Sequence, residues 1–388
     1  MTGARVPWSV TAGHAVRPGR QSRSLLLALI LCAAPIAEAR AEPVVRVLDL
    51  PFTVRALRGP RSEVAVSVAT SGLLPIAGAK VGHAVGHDAG DEESAPVAVA
   101  WGDEGGGVLT LAGGTVTIKP IGREAVDGLS AAETPRGALP GTRRALSGPL
   151  SAYLTGRTRA PDGSEAAAVL TIRERQPMAV SADPKPVPIA TSTVPAGSDA
   201  VFAPLRPRLL RLAGRPAFLA ATLSGAGSGG LALITHPNAE ASWVVAARTL
   251  PQPGPPLKIA GIADFAGSGT LQAATVSASG RLQLWTLQPD RIEASAEAAG
   301  YATGDGDSDL AVTAPAGGTP PELVLPVAGR PEIALVSAKG SLHERLRVTL
   351  PAPATNGIVV LGEGLAARLL VGLADGRVAV IAPDGGTP

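Results

Sequence analysis

The residues best placed to do chemistry are three acids in one glycine-rich stretch: Asp305, Asp307 and Asp309 in YATGDGDSDLA. Acids gathered on such a turn could hold a cation; the alternative is a solvated turn kept for its glycines. His83 and His87 stand four apart and precede Asp88; on a helix that spacing can hold zinc. Gly82 and Gly86 oppose a helix, and the glutamate of a zinc-protease motif is missing, so exposed loop histidines are expected instead. His236 and His343 are isolated and read as surface strand or turn residues. Asp91, Glu92 and Glu93 form an acidic run, read as a solvated loop with partner contact as the alternative. Trp101, Trp243 and Trp285 lie on or beside strand-like runs and are expected to pack between sheets rather than stack on carbohydrate.

Nucleophile motifs do not occur. There is no Gly-x-Ser-x-Gly and no phosphate-cradling loop ending in Gly-Lys-Ser/Thr. The glycines at 225–230 run into a strand-like segment, so they lack the helix N-terminus that would hold a pyrophosphate. No catalytic and no cofactor-binding residue is assigned.

The single cysteine, Cys32, sits in an apolar run, 25–34 (LLLALILCAA), behind Arg5, Arg17, Arg20 and Arg23. Ala39-Arg40-Ala41 follows. This is the three-part pattern of a secretory signal over residues 1–41, cut after Ala41, with a periplasmic or secreted product free of disulfides. The run is shorter than the ~20 residues of a membrane span, and no span is expected later. Residues 1–41 hold five arginines and Glu38; taking these from 34 basic and 32 acidic residues leaves 29 and 31. A net charge of −2 by that subtraction argues against a nucleic-acid partner.

The elements that must carry these residues are short strands. Aromatics make up 3% of the chain, so the core must be built from Val, Leu, Ile and Ala. Helical periodicity is nearly absent after residue 50. Three hairpins share one design: 332–337 and 341–350 about Ala338-Lys339-Gly340, 271–277 and 281–287 about Ala278-Ser279-Gly280, and 368–373 and 377–381 about Ala374-Asp375-Gly376. A three-residue turn wants a left-handed last residue, which glycine supplies without strain. Ala213-Gly214-Arg215-Pro216 and Ala328-Gly329-Arg330-Pro331 repeat a second turn, and Arg58-Gly59-Pro60-Arg61 before SEVAVSV is read as a third copy. Turn glycines at Gly72, Gly107, Gly163, Gly230, Gly280, Gly340 and Gly376 recur about every 51 residues. That period predicts an all-β fold, a β-propeller over 42–388 with seven blades, six or eight being the alternatives. The strand 44–49 (VVRVLD) is expected to complete the last blade. Two stretches, 122–148 and 176–199, read as irregular loops.

Three segments carry a Gly-x-Gly frame: DFAGSGTLQAA at 264–274, TLSGAGSGGLA at 222–232 and YATGDGDSDLA at 301–311. These resemble the FG-GAP or VCBS repeat of integrin-like propellers, in which acids hold calcium in a loop between two strands. The resemblance implies a calcium role for Asp305 and Asp309, with Asp307 beside them. The departures are plain: Ala266, Ser268 and Gln272 replace acids in the first loop, no acid remains in the second, and Tyr301 and Thr303 replace two in the third.

These readings predict an exported, monomeric, non-enzymatic propeller, a binding or structural scaffold for a protein or glycan ligand. The alternative is a propeller hydrolase or lyase acting on polysaccharide. Buried acids, histidines or arginines crowded at the channel would favour the enzyme, and a bare glycine-lined mouth the scaffold.

Overall fold

The computed structural model describes residues 42–71, 96–176, 186–225, 227–238, 241–304, 306, 308–313 and 319–385. The leader, Gly72, His83, His87, Asp88, the run 91–93, Asp305 and Asp307 lie outside them.

Strand β1 (Val44–Val47) is followed by β2 (Ala56–Arg58), helix α1 (Glu63–Thr70), β3 (Val97–Gly102), β4 (Gly105–Ala112), β5 (Thr115–Ile121) and helix α2 (Arg123–Glu133). Then come β6 (Ala145–Ser147), β7 (Leu150–Arg159), β8 (Glu165–Arg175), β9 (Ile189–Pro195) and β10 (Ala200–Phe202). Next are β11 (Arg208–Leu212), β12 (Arg215–Ser224), β13 (Ser228–Thr235), β14 (Val244–Arg248) and the short β15 (Gln252–Pro253). The chain continues through β16 (Lys258–Ala263), β17 (Gln272–Val276), β18 (Arg281–Gln288), β19 (Arg291–Ala299), β20 (Ala311–Val312), β21 (Leu323–Pro326), β22 (Glu332–Ser337) and β23 (His343–Thr349). It ends with β24 (Ala354–Leu361), β25 (Arg368–Leu373) and β26 (Val378–Ala382).

These strands form antiparallel meanders: β2 to β5, β6 to β9, β11 to β14, β16 to β19, β20 to β23, and β24 to β26 completed by β1. Short β10 bridges β8 and β12, joining the second and third meanders into one larger sheet. Val44 to Val47 pair with Ala382 to Ala379, so the first strand closes the last sheet as expected. Apolar faces are shared between successive sheets. Phe218 and Ala232 pack with Ala152 and Leu170, Trp285 and Ala273 with Leu219 and Leu233, and Leu323 and Leu335 with Leu284 and Leu369. The last sheet also packs on the first, through Leu370 and Val380 against Leu57, Ala98 and Leu109. The fold is an all-β propeller. Small residues suit this packing, because facing sheets can approach closely. Among the described residues no helix is long and apolar enough to cross a membrane.

Among the described residues there are six four-stranded meanders, one of the two alternatives to seven. Three expectations need correction. SEVAVSV is helix α1, not a strand: Ser62 caps it by accepting from the Ala65 amide at 3.1 Å, and the consecutive residues Glu63 to Val66 are all buried. The amides of Val66 and Ser71 donate to the carbonyls of Ser62 and Ser67, four residues back, which marks the helix; Val64, Val66 and Val68 imitate strand alternation by chance. Second, the stretch 122–148 contains α2 and β6. Its apolar stripe is only Val126 and Leu129 with alanines, too thin to register as a helical period. Third, the stretch 176–199 contains β9, an exposed edge strand paired only with β8. Edge strands tolerate its proline and need no alternation.

The three glycine-turn hairpins are present, with Gly280 and Gly376 both at φ +81°. They do not occupy equivalent places, however. The turn at 278–280 joins second and third strands of its meander, whereas 338–340 joins third and fourth. Likewise 213–216 joins first and second strands and 328–331 second and third. Gly107 and Gly230 lie inside β4 and β13.

Candidate functional site

First strands of neighbouring meanders touch one another: β16 with β20, β20 with β24, β24 with β2, and β6 with β11. Charged residues on or just before these inner strands meet in a buried cluster. Asp309 precedes β20, and its carbonyl accepts from the Ile358 amide of β24 at 2.8 Å. Its side chain is buried and takes a bidentate pair from Arg143, Nη2 to Oδ1 at 2.8 Å and Nη1 to Oδ2 at 3.2 Å. Arg143 stands two residues before β6, where the 134–144 segment folds back on itself. The Arg144 amide donates to the Glu133 carbonyl at 2.9 Å, and Thr134 Oγ1 to the Thr142 carbonyl at 2.9 Å. That return brings Glu133 beside Arg143 at 3.8 Å and within 3.2 Å of Arg58 Nε. Arg144 pairs with Glu63 of α1. Arg206 donates to the carbonyls of Arg144 and Arg61, each at 3.2 Å.

Burial alone would push the Asp309 carboxyl up. The charge and hydrogen bonds of Arg143, reinforced by the charges of Arg58 and Arg206, outweigh that and hold it well below the usual carboxylate range. The Arg144 guanidinium is pushed up, chiefly by its hydrogen bond to Glu63. A general acid needs a pKa near the working pH; Asp309 is driven the other way. What this arrangement does chemically is bind charge to charge across the ring. Arg58 and Glu63 fall in the stretch read as a turn copy and its following strand, and nothing there points to a charge cluster; Glu133, Arg143, Arg144 and Arg206 carry no motif beyond the Arg-Arg pair directly before an apolar run (GTRRALS).

Of the candidate calcium residues, Asp309 gives both carboxylate oxygens to Arg143, while Asp305 and Asp307 lie outside the described residues. Lys258 of β16 reaches into this loop, its Nζ donating to the Gly306 carbonyl and Ser308 Oγ, each at 3.0 Å. An ammonium and a guanidinium thus face the loop from within. Adding millimolar calcium is expected to leave the melting temperature unmoved; a rise of several degrees would show that the loop holds the ion without Asp309. Among the described residues no three His, Cys, Asp or Glu side chains are grouped to hold a metal. Tyr301 is buried, its hydroxyl donating to Glu344 at 3.2 Å, and burial, with the Glu344 charge, pushes its phenol up to about 12. Asp264 folds onto its own turn, accepting from the Ser268 and Gly269 amides at 3.0 and 2.6 Å. The three Gly-x-Gly frames fall at three different connections: β16 to β17, β12 to β13, and the link from β19 to β20.

Trp243 and Trp285 are buried as expected. Trp243 packs on Phe218 at 5.2 Å and on His236 at 3.9 Å, and Trp285 Nε1 donates to Thr275 Oγ1 at 2.8 Å. His343 is an exposed residue bonded to the Ser341 carbonyl. Trp101 is only half-buried, with the Arg58 guanidinium 5.2 Å from its ring centre.

No protein-family model matches this chain, and no curated protein matches it. Among solved structures, it is similar to a Trypanosoma rangeli sialidase in complex with sialic acid at 12% identity and a TM-score of 0.43, covering 89% of this chain and 60% of that one. The Hadza microbial sialidase gives 10% identity and a TM-score of 0.38, over 74% and 63%. AofleA from Arthrobotrys oligospora gives 8% and 0.38, over 87% and 85%. The chain spans less than two thirds of the length of the Trypanosoma rangeli structures it matches. At these identities and scores, nothing about chemistry passes to this chain.

Proposed function

We propose that this protein is an exported, non-enzymatic propeller serving as a binding or structural scaffold. One observation carries the reading: the buried carboxylates at the inner strands are engaged by arginines, and Asp309 is held ionised rather than kept as a proton donor. Most glycoside hydrolases use two carboxyl groups, one with a raised pKa to protonate the leaving oxygen. The second reading, a hydrolase or lyase on polysaccharide, draws on the crowding itself, since Arg58, Arg143 and Arg206 gather around one acid. Export rests on the basic leader and apolar run, and on a first strand that starts three residues past the expected cut at Ala41. Descent from an FG-GAP-type repeat belongs to the same proposal, supported by the Asp264 turn between the first two strands of its meander. The test uses the chain expressed with its leader. The exported product is expected to begin at Glu42 and to release no fluorophore from a panel of neutral and sialic acid umbelliferyl glycosides, nor shorten polysaccharides. Turnover that disappears in Asp309→Asn would establish the enzyme instead, and an uncut product inside the cell would overturn export.

A further inference from the structure

Next to the buried cluster, between the β3–β4 turn and α2, lies an open cleft of about 180 Å³. Trp101, Arg55, Asp103, Arg123, Asp127 and Ser130 line it. We propose that this cleft binds a neutral sugar ring, the terminal residue of a glycan; the inference rests on the scaffold reading and names its ligand class.

Five observations point there. The lining balances two guanidiniums against two carboxylates, so it offers no net charge to select an ion. It offers donors and acceptors side by side, and a sugar hydroxyl needs both at once. Those groups are weakly committed to each other. Arg55 Nε and Asp103 Oδ2 are 2.8 Å apart with both side chains about two-thirds exposed, and such exposed pairs are worth only about 0–1 kcal/mol. Arg123 Nε and Asp127 Oδ2 are 3.8 Å apart, beyond hydrogen-bond reach. Exchange of these pairings for hydroxyls is therefore cheap. Ser130 donates to the Asp127 carbonyl at 3.1 Å, leaving its oxygen able to accept. Trp101 also lines the cleft, and it is held in place: Arg58 lies against its ring and is itself bonded to Glu133. The volume falls below the roughly 300–1,000 Å³ of drug-sized sites, which suits one ring rather than a run of sugars.

Saturation-transfer NMR on the full processed chain tests this, with methyl glycosides of glucose, galactose and mannose and with sialic acid as the anionic probe. At least one neutral glycoside should show transfer at millimolar concentration. Asp103→Ala combined with Asp127→Ala should weaken that binding about tenfold or more, with the melting temperature unchanged because both side chains are exposed. No transfer from any neutral glycoside, transfer that survives the double substitution, or preference for sialic acid would each overturn the site. Absent binding without any glycoside turnover removes the cleft while the scaffold reading stands; turnover removes the scaffold reading itself.

Discussion

Arg143→Met should lower the melting temperature by roughly 6–10 °C. The substitution leaves Asp309 buried with its bidentate partner gone, and breaking a buried pair by removing one member costs about 3–5 kcal/mol; at this chain length each kcal/mol is worth about 2 °C. The charges of Arg58 and Arg206 remain and soften the loss. Asp309→Asn should cost less, because Glu133 remains 3.8 Å from Arg143 as a counter-charge and the amide oxygen can still accept from the guanidinium. The double replacement Arg143→Met with Asp309→Leu should cost less than the sum, since an apolar pair can stand in for an ion pair. Acid gives an independent readout. The folded pKa of Asp309 lies below its unfolded value of about 3.9. The stability it contributes is therefore complete above that value and drains away as pH falls below it toward the folded pKa. In Asp309→Asn this part of the acid sensitivity should vanish. An Arg143→Met protein that melts with the wild type at pH 7 would show that the cluster does not hold the ring.

Deleting residues 42–50 should be as damaging. It strips β1 from β26, whose residues Val378 to Ala382 are all buried, and it removes Val45, Leu48 and Leu50, which pack against the neighbouring cores. Partial burial of three such side chains is worth about 3–5 kcal/mol, again roughly 6–10 °C. The exposed β26 edge should then recruit other chains, so the truncated protein should associate as well as melt early. Val44→Asp serves as the control, because Val44 is 40% exposed and should tolerate the change. A truncated protein that melts normally and stays monodisperse would refute closure by β1.

Hairpin design was legible one turn at a time. Ala-Ser-Gly and Ala-Asp-Gly between alternating runs specify a reversal because only glycine takes the left-handed final position freely, and both reversals are there. Equivalence between turns was not legible. The same three-residue solution serves a second-to-third connection at 278–280 and a third-to-fourth connection at 338–340, so spacing the glycines counts reversals, not sheets. That is how Gly72, beyond a helix, entered a count of seven. Helix α1 was hidden by valines at 64, 66 and 68, whose alternation satisfies a strand and whose burial in the helix comes from packing on β3 and β4.

By itself, then, the sequence determined what local chemistry controls: many short strands, an aliphatic core poor in aromatics, glycine reversals, and a first strand suited to closing the last sheet. The buried charge cluster was decided only in three dimensions. Arg143 and Asp309 are 166 residues apart, and a loop arginine or an aspartate in a glycine-rich turn looks like any solvated charge. Their pairing depends on which inner strands meet, and the free energy of a buried charge depends on neighbours that no local window contains.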